Sequence, residues 1–156
     1  MNETAYVLVD TVVQVLERQA FLFAEPNDVE GWEDESGIYI EAGMDFSGPV
    51  RGSLAIAVPS GFGVELAANF LGVDPGEARA EDLAQDATEE LLNVICGQLL
   101  TRLYGCGYVF QLSIPEARSI GTERWNALGK EKEGIGFLVD DEYPALIRFS
   151  AEANGR

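Results

Sequence analysis

Apolar residues over 4–23 recur at helical spacing. Val9, Val12, Val13, Val15, Leu16, Gln19 and Ala20 follow one repeat while the charges fall elsewhere. This predicts a long amphipathic first helix, broken by the acidic stretch 25–36. Residues 38–46 alternate in part and are rich in strand formers. Ser47-Gly48-Pro49 reads as a turn, and 50–58 alternates again through Leu54, Ile56 and Val58. Together they predict a β-hairpin with one apolar face. After Pro59-Ser60-Gly61, the positions Val64, Leu66, Ala67, Phe70 and Leu71 predict a second helix ending at Gly72. A polar connection over 74–81 leads to the longest helical pattern, 82–104, which Gly105 and Gly107 stop. Beyond it, 108–114 reads as a strand closed by Pro115, and 135–140 with 145–150 as a closing hairpin. Residues 122–133 carry no clear pattern and are expected to form a loop, tacked to the core by Trp125. The tail 152–156 is expected to fray. The order predicts an α+β fold, an antiparallel β-sheet packed with a long N-terminal helix and two further helices.

Composition narrows the chemistry. A chain of 156 residues, 47% of them hydrophobic, has the material for one core, so a single domain over 1–156 is expected. With 27 acidic and 10 basic residues the formal net charge is −17, which repels nucleic acid and anionic lipid alike. The first ten residues lack a leader pattern and no apolar run approaches the roughly twenty residues that span a bilayer. A cytoplasmic protein without a membrane partner is expected. The two cysteines, Cys96 and Cys106, stand in apolar surroundings and read as reduced, buried thiols. With no histidine in the chain, a zinc site and Ser-His or Cys-His catalysis are excluded. Catalysis must use carboxylates, amides or borrowed groups. Ser60-Gly61-Phe62-Gly63 lacks the lysine and spacing of a phosphate loop and reads as a helix N-cap. The acidic residues Glu25, Asp28, Glu30, Glu33, Asp34 and Glu35 lack the calcium-loop frame and read as a solvated loop. No metal site is expected.

The pattern over 82–104 is more specific. At about 100° per residue, Asp86, Glu90, Asn93 and Gly97 fall within an arc of roughly 60°, while Leu91, Ile95 and Leu99 cluster elsewhere. Asparagine is a mediocre helix former and an interior glycine costs about 1 kcal/mol relative to alanine. One account is a solvated face whose glycine packs against a neighbour. The other is a site, since a carboxylate and a carboxamide one turn apart reach a common target while a glycine admits another backbone.

The string Asp86-Ala-Thr-Glu-Glu90-Leu-Leu-Asn93-Val-Ile-Cys-Gly97, with Ser113-Ile114-Pro115 after it, resembles the signature of the CheC/CheX/FliY chemotaxis phosphatases. That signature is Asp or Ser, three residues, Glu, two residues, Asn, and a distant Pro. The first helix offers Asp10, Gln14 and Glu17 but no asparagine, and a single such helix points toward CheX. The resemblance implies a CheC-like fold and a phosphatase acting on the aspartyl phosphate of a CheY-like response regulator in chemotaxis or two-component signalling. By it, Glu90 pairs with the regulator's lysine and Asn93 orients the attacking water. Asp86 orients or caps the site, Gly97 admits the partner, and Pro115 fixes a loop. The protein brings no cofactor of its own, because the regulator supplies Mg²⁺. The resemblance also implies a homodimer through sheet elements, for which the nearly uncharged segments 135–139 and 145–149 suit an acidic chain. The alternative is a noncatalytic CheC-like module that docks a signalling or flagellar partner.

Overall fold

The computed structural model describes residues 2–153. Its first helix, α1 (Glu3–Ala20), begins at Asn2, whose side chain accepts the Ala5 N–H at 2.8 Å. Glu3 and Arg18 stand at the ends of α1 where the helix dipole favours their charges. The helix stops three residues short of the predicted end. Phe21 adopts a left-handed conformation (φ 57°), and Leu22 N–H caps the Leu16 carbonyl at 3.1 Å. This turn leaves Phe21 exposed and drives Leu22 into the core, a reversal that apolar spacing does not announce.

The remaining elements are β1 (Ala24–Pro26), β2 (Ile38–Ser47), β3 (Val50–Pro59), α2 (Ser60–Phe70), α3 (Pro75–Ala78), α4 (Glu81–Tyr104), β4 (Gln111–Leu112), β5 (Glu116–Gly121), α5 (Thr122–Gly129), β6 (Gly134–Val139) and β7 (Tyr143–Ala153). The strands form one antiparallel sheet in the order β1-β6-β7-β3-β2, with β4 and β5 sharing the outer edge of β2. Alternation assigns the faces. Ile40, Ala42, Met44 and Phe46 of β2 join Leu54, Ile56 and Val58 of β3 in the main core under α1, α2 and α4. Tyr39 and Ala57 face the other way, against α5. There Trp125 stacks on Tyr39 at 4.5 Å and donates Nε1–H to the Trp32 carbonyl at 2.6 Å.

The hairpin, the α+β class and the packing of helices on an antiparallel sheet are as the sequence predicts, with five helices among the described residues rather than three. Trp125 does tack its segment down, yet residues 122–129 are helical. The eight-residue α5 buries only Trp125 and Leu128, too few positions for a periodic signal. The strand predicted over 108–114 contracts to Gln111–Leu112, and Pro115 does not close the edge, because β5 resumes pairing with β2 directly after it. Across this break Ser113 brackets Asp45, donating N–H to its carbonyl at 2.9 Å and accepting its N–H on Oγ at 2.8 Å. Ser60 is not an N-cap. Pro59 occupies that position without a side-chain cap. Only one thiol is buried. Cys96 lies in the core, where desolvation pushes its pKa to about 11, whereas Cys106 is exposed. Much of the two segments expected to make dimer contacts is not a sheet edge. Residues 137–139 are paired by β1 and β7, and 146–148 by β6 and β3. The part of β7 left without β6 is 149–153. Of the tail expected to fray, Glu152 and Ala153 are instead paired with Arg51 and Val50 of β3, and 154–156 lie outside the described residues.

Candidate functional site

Helix α4 is a rigid platform because its inward side is fully engaged. Leu91, Leu92, Ile95, Cys96 and Leu99 are buried beneath α1, α2 and the sheet. The approach of α2 is close. A Cβ on Gly63 would stand 2.7 Å from Ile40 Cδ1 and 3.1 Å from Ala84 Cβ, so a side chain here would have to displace the end of Ile40.

The outward side carries Asp86, Glu90, Asn93 and Gly97. Asp86 and Glu90 are exposed; Asn93 and Gly97 are half-exposed. All four fall on one face, as the spacing predicts. Among the described residues no side-chain hydrogen bond or ion pair engages Asp86, Glu90 or Asn93. Gly97 differs from Gly63, since a Cβ there would meet nothing within 4 Å. The glycine therefore packs against no neighbouring element among the described residues, which removes one of the two accounts of its presence. Together Asn93 and Gly97 weaken the helix by roughly 1–2 kcal/mol relative to alanine without an internal contact that offsets it.

Pro115 is not on α4 but directly precedes β5. β5 is tied to α4 by Glu89, which accepts the Ala117 N–H at 2.9 Å, and by Ser119 Oγ, which donates to Glu81. Pro115 thus enters the edge strand beside the turn that carries Glu89 and Glu90. It stands in the β4–β5 break, where a residue without an N–H can sit between two paired segments.

Charge is graded along α4. Glu81, Asp82, Asp86, Glu89 and Glu90 crowd the first half, and Arg102 is the helix's only cation. The early carboxylates favour the helix dipole and present a negative field beside Asn93 that suits a cationic partner group. Carboxylates one turn apart do not make an ion cage. No cluster of three or more metal-ligating side chains occurs among the described residues, and the arrangement near Asn93 does not fit a resident Mg²⁺.

A shallow depression begins at Asn93 and is lined by Val94, Gly97, Gln98, Thr101 and Arg102. Thr101 turns its hydroxyl back onto the Gly97 carbonyl at 3.0 Å, leaving the floor low. Arg102 closes the depression on the α1 side. It donates to Asp10 Oδ2 at 2.5 Å and to Thr11 Oγ1 at 2.8 Å. The hydrogen bond from Arg102 holds the Asp10 carboxyl below its ordinary range. The spacing of the motif on α4 does not reach Gln98, Thr101 and Arg102. A lone cation at the end of an acidic helix was the available signal.

The family model described as chemotaxis phosphatase CheX matches residues 40–133. No curated protein sequence matches. Among solved structures, the chemotaxis protein CheX from Vibrio vulnificus is 19% identical with a TM-score of 0.71, covering 97% of both chains. A CheC-like superfamily protein from Shewanella sp. PV-4 is 22% identical with a TM-score of 0.62, over 98% of this chain and 100% of that one. The CheX–CheY–BeF3–Mg²⁺ complex from Borrelia burgdorferi contains a chain 18% identical with a TM-score of 0.62, over 96% of this chain and 98% of that one.

Proposed function

Because this chain belongs to the chemotaxis phosphatase CheX family, we propose that it hydrolyses the aspartyl phosphate of a CheY-like response regulator, with Asn93 and Glu90 as the working residues. The observation that carries this is the combination on α4 of an unpartnered Asn93 and a glycine one turn later that packs against nothing. Both weaken the helix and neither is explained within the chain. An approaching protein surface explains both.

In this mechanism the regulator docks along the exposed stripe of α4. Glu90 takes the ammonium of the regulator's active-site lysine, a pairing favoured by the acidic first half of the helix. Asn93 enters the regulator's site beside the phosphoryl group. A carboxamide both accepts and donates, so its oxygen accepts a hydrogen bond from the attacking water and turns the water's lone pair toward phosphorus. Phosphoryl transfer asks for in-line positioning and charge stabilisation more than for a covalent catalyst, so one amide placed beside the phosphoryl group suffices. The regulator holds the Mg²⁺ that neutralises phosphoryl charge. Asp86 borders the site as an orienting group and Gly97 lets the partner's backbone come close. Pro115 acts only through the loop it shapes.

The test is the lifetime of phosphorylated CheY-like regulators, charged with a small phosphodonor, with and without the protein. Shortening of at least one regulator's lifetime by catalytic amounts of protein is expected. Unchanged lifetimes across all regulators of the source genome would contradict the reading.

A further inference from the structure

We propose that Arg102 is a docking residue that receives a carboxylate of the partner at the far end of the depression beginning at Asn93; this rests on the phosphatase reading and adds a specificity contact to it. A guanidinium has five N–H donors. Two are spent on Asp10 and Thr11 of α1, and Thr11 is itself fixed by donating its hydroxyl to the Val7 carbonyl at 2.6 Å. The fork is thus held in one orientation with three donors unassigned, and the Arg102 side chain keeps 37% of its surface exposed. Arg102 and Asn93 line the same depression, whose low floor of Gly97 and Thr101 lets one convex surface reach both. They are separated by nine residues of helix, about 13.5 Å along its axis and about half a turn around it, so the depression curves from one to the other past Val94, Gln98 and Thr101.

Charge selects the occupant. On a chain of net charge −17, most of the surface repels an acidic group, and in α4 only Arg102 attracts one. A partner presenting lysine to Glu90 and a carboxylate to Arg102 meets opposite charges at the two ends of one helix, which sets its orientation as well as its affinity. Asp10 competes for the same guanidinium. It holds Arg102 in place, and its negative charge weakens the pull on an incoming carboxylate.

The experiment measures binding of beryllofluoride–Mg²⁺-activated CheY-like regulator to four proteins across a salt series, by titration calorimetry. These are the parent, Arg102→Gln, Asp10→Asn, and Glu35→Gln, which removes one negative charge from the β1–β2 loop that packs beside α5. Arg102→Gln should bind roughly fivefold more weakly with a shallower salt dependence, the size of one partly exposed ion pair. Its turnover at saturating regulator should be unchanged. Asp10→Asn should bind roughly twofold more tightly at low salt, and Glu35→Gln should match the parent. Equal affinities for parent and Arg102→Gln, or a fall in turnover alone, overturn the docking role of Arg102. Asp10→Asn binding that is no tighter than Glu35→Gln overturns it as well. A parent protein that binds no activated regulator overturns both this inference and the phosphatase reading.

Discussion

Replacing Gly97 with alanine separates what the fold needs from what the site needs. The added methyl group projects from the exposed flank of α4 into space where nothing stands within 4 Å, so no clash opposes it. Helix propensity then acts alone, and alanine is favoured over glycine in a helix interior by about 0.8–1 kcal/mol. For a chain of this length that corresponds to a rise in Tm of roughly 2–4 °C. The same methyl group stands on the floor of the depression beside Asn93, in the path of a backbone that must come close enough for the carboxamide to reach the phosphoryl group. Intrusion of one carbon into a packed interface costs typically about 1–3 kcal/mol, or roughly 5- to 150-fold in affinity. Gly97→Ala should therefore be more stable and a poorer phosphatase. Thermal unfolding followed by circular dichroism, together with regulator dephosphorylation at subsaturating substrate, reads both quantities on one preparation. Raised stability with parental activity would refute the close-approach argument. Lowered stability would refute the reading of an open flank.

Further outcomes follow from the same structure. In native protein at pH 8 a thiol reagent should consume one equivalent, from exposed Cys106, because burial holds the Cys96 thiol near 11 and out of contact; the second equivalent should appear only on denaturation, and rapid reaction of both would contradict the buried placement. Calorimetry with Mg²⁺ or Zn²⁺ should detect no stoichiometric site on the isolated protein, whereas dephosphorylation should require Mg²⁺ on the regulator; tight binding of one ion per chain would overturn that assignment. A homodimer, if held by the free stretch of β7 over 149–153, should persist or tighten as salt screens repulsion between acidic chains, since the screening length is near 8 Å at physiological ionic strength. Sedimentation showing a monomer at every salt concentration would refute the dimer, and dissociation on adding salt would refute this mode of contact.

Strong periodicity carried the parts of this fold that bury a continuous stripe. α4 and the β2–β3 hairpin emerge with boundaries within a residue or so because each presents a long run of regularly spaced apolar positions to one core. The misses share a cause. β1 has three residues, β4 has two, and α5 buries two side chains, so tertiary contact rather than local pattern decides them. The Trp125 stack on Tyr39 and the Glu89 bond to Ala117 are contacts across the chain that no window of sequence contains. At the candidate site, the alignment of Asp86, Glu90, Asn93 and Gly97 was legible because a helix converts spacing into direction. Its extension to Arg102 was not, because that residue joins the depression by reaching sideways to α1. Pro115 belongs to the motif in sequence, yet it lies outside α4, immediately before β5.

The central claim is that the Asn93 carboxamide performs the chemistry. Its most direct test is the dephosphorylation rate at saturating phosphoregulator for the parent protein and for Asn93→Ala. Asn93 makes no internal hydrogen bond among the described residues, and alanine is the better helix former, so the variant should fold with undiminished stability. Removal of one positioned polar group typically costs about 10²–10³ in rate. A loss of that size, with regulator binding retained, is the predicted result; an Asn93→Ala protein that turns over its substrate as fast as the parent would contradict the account.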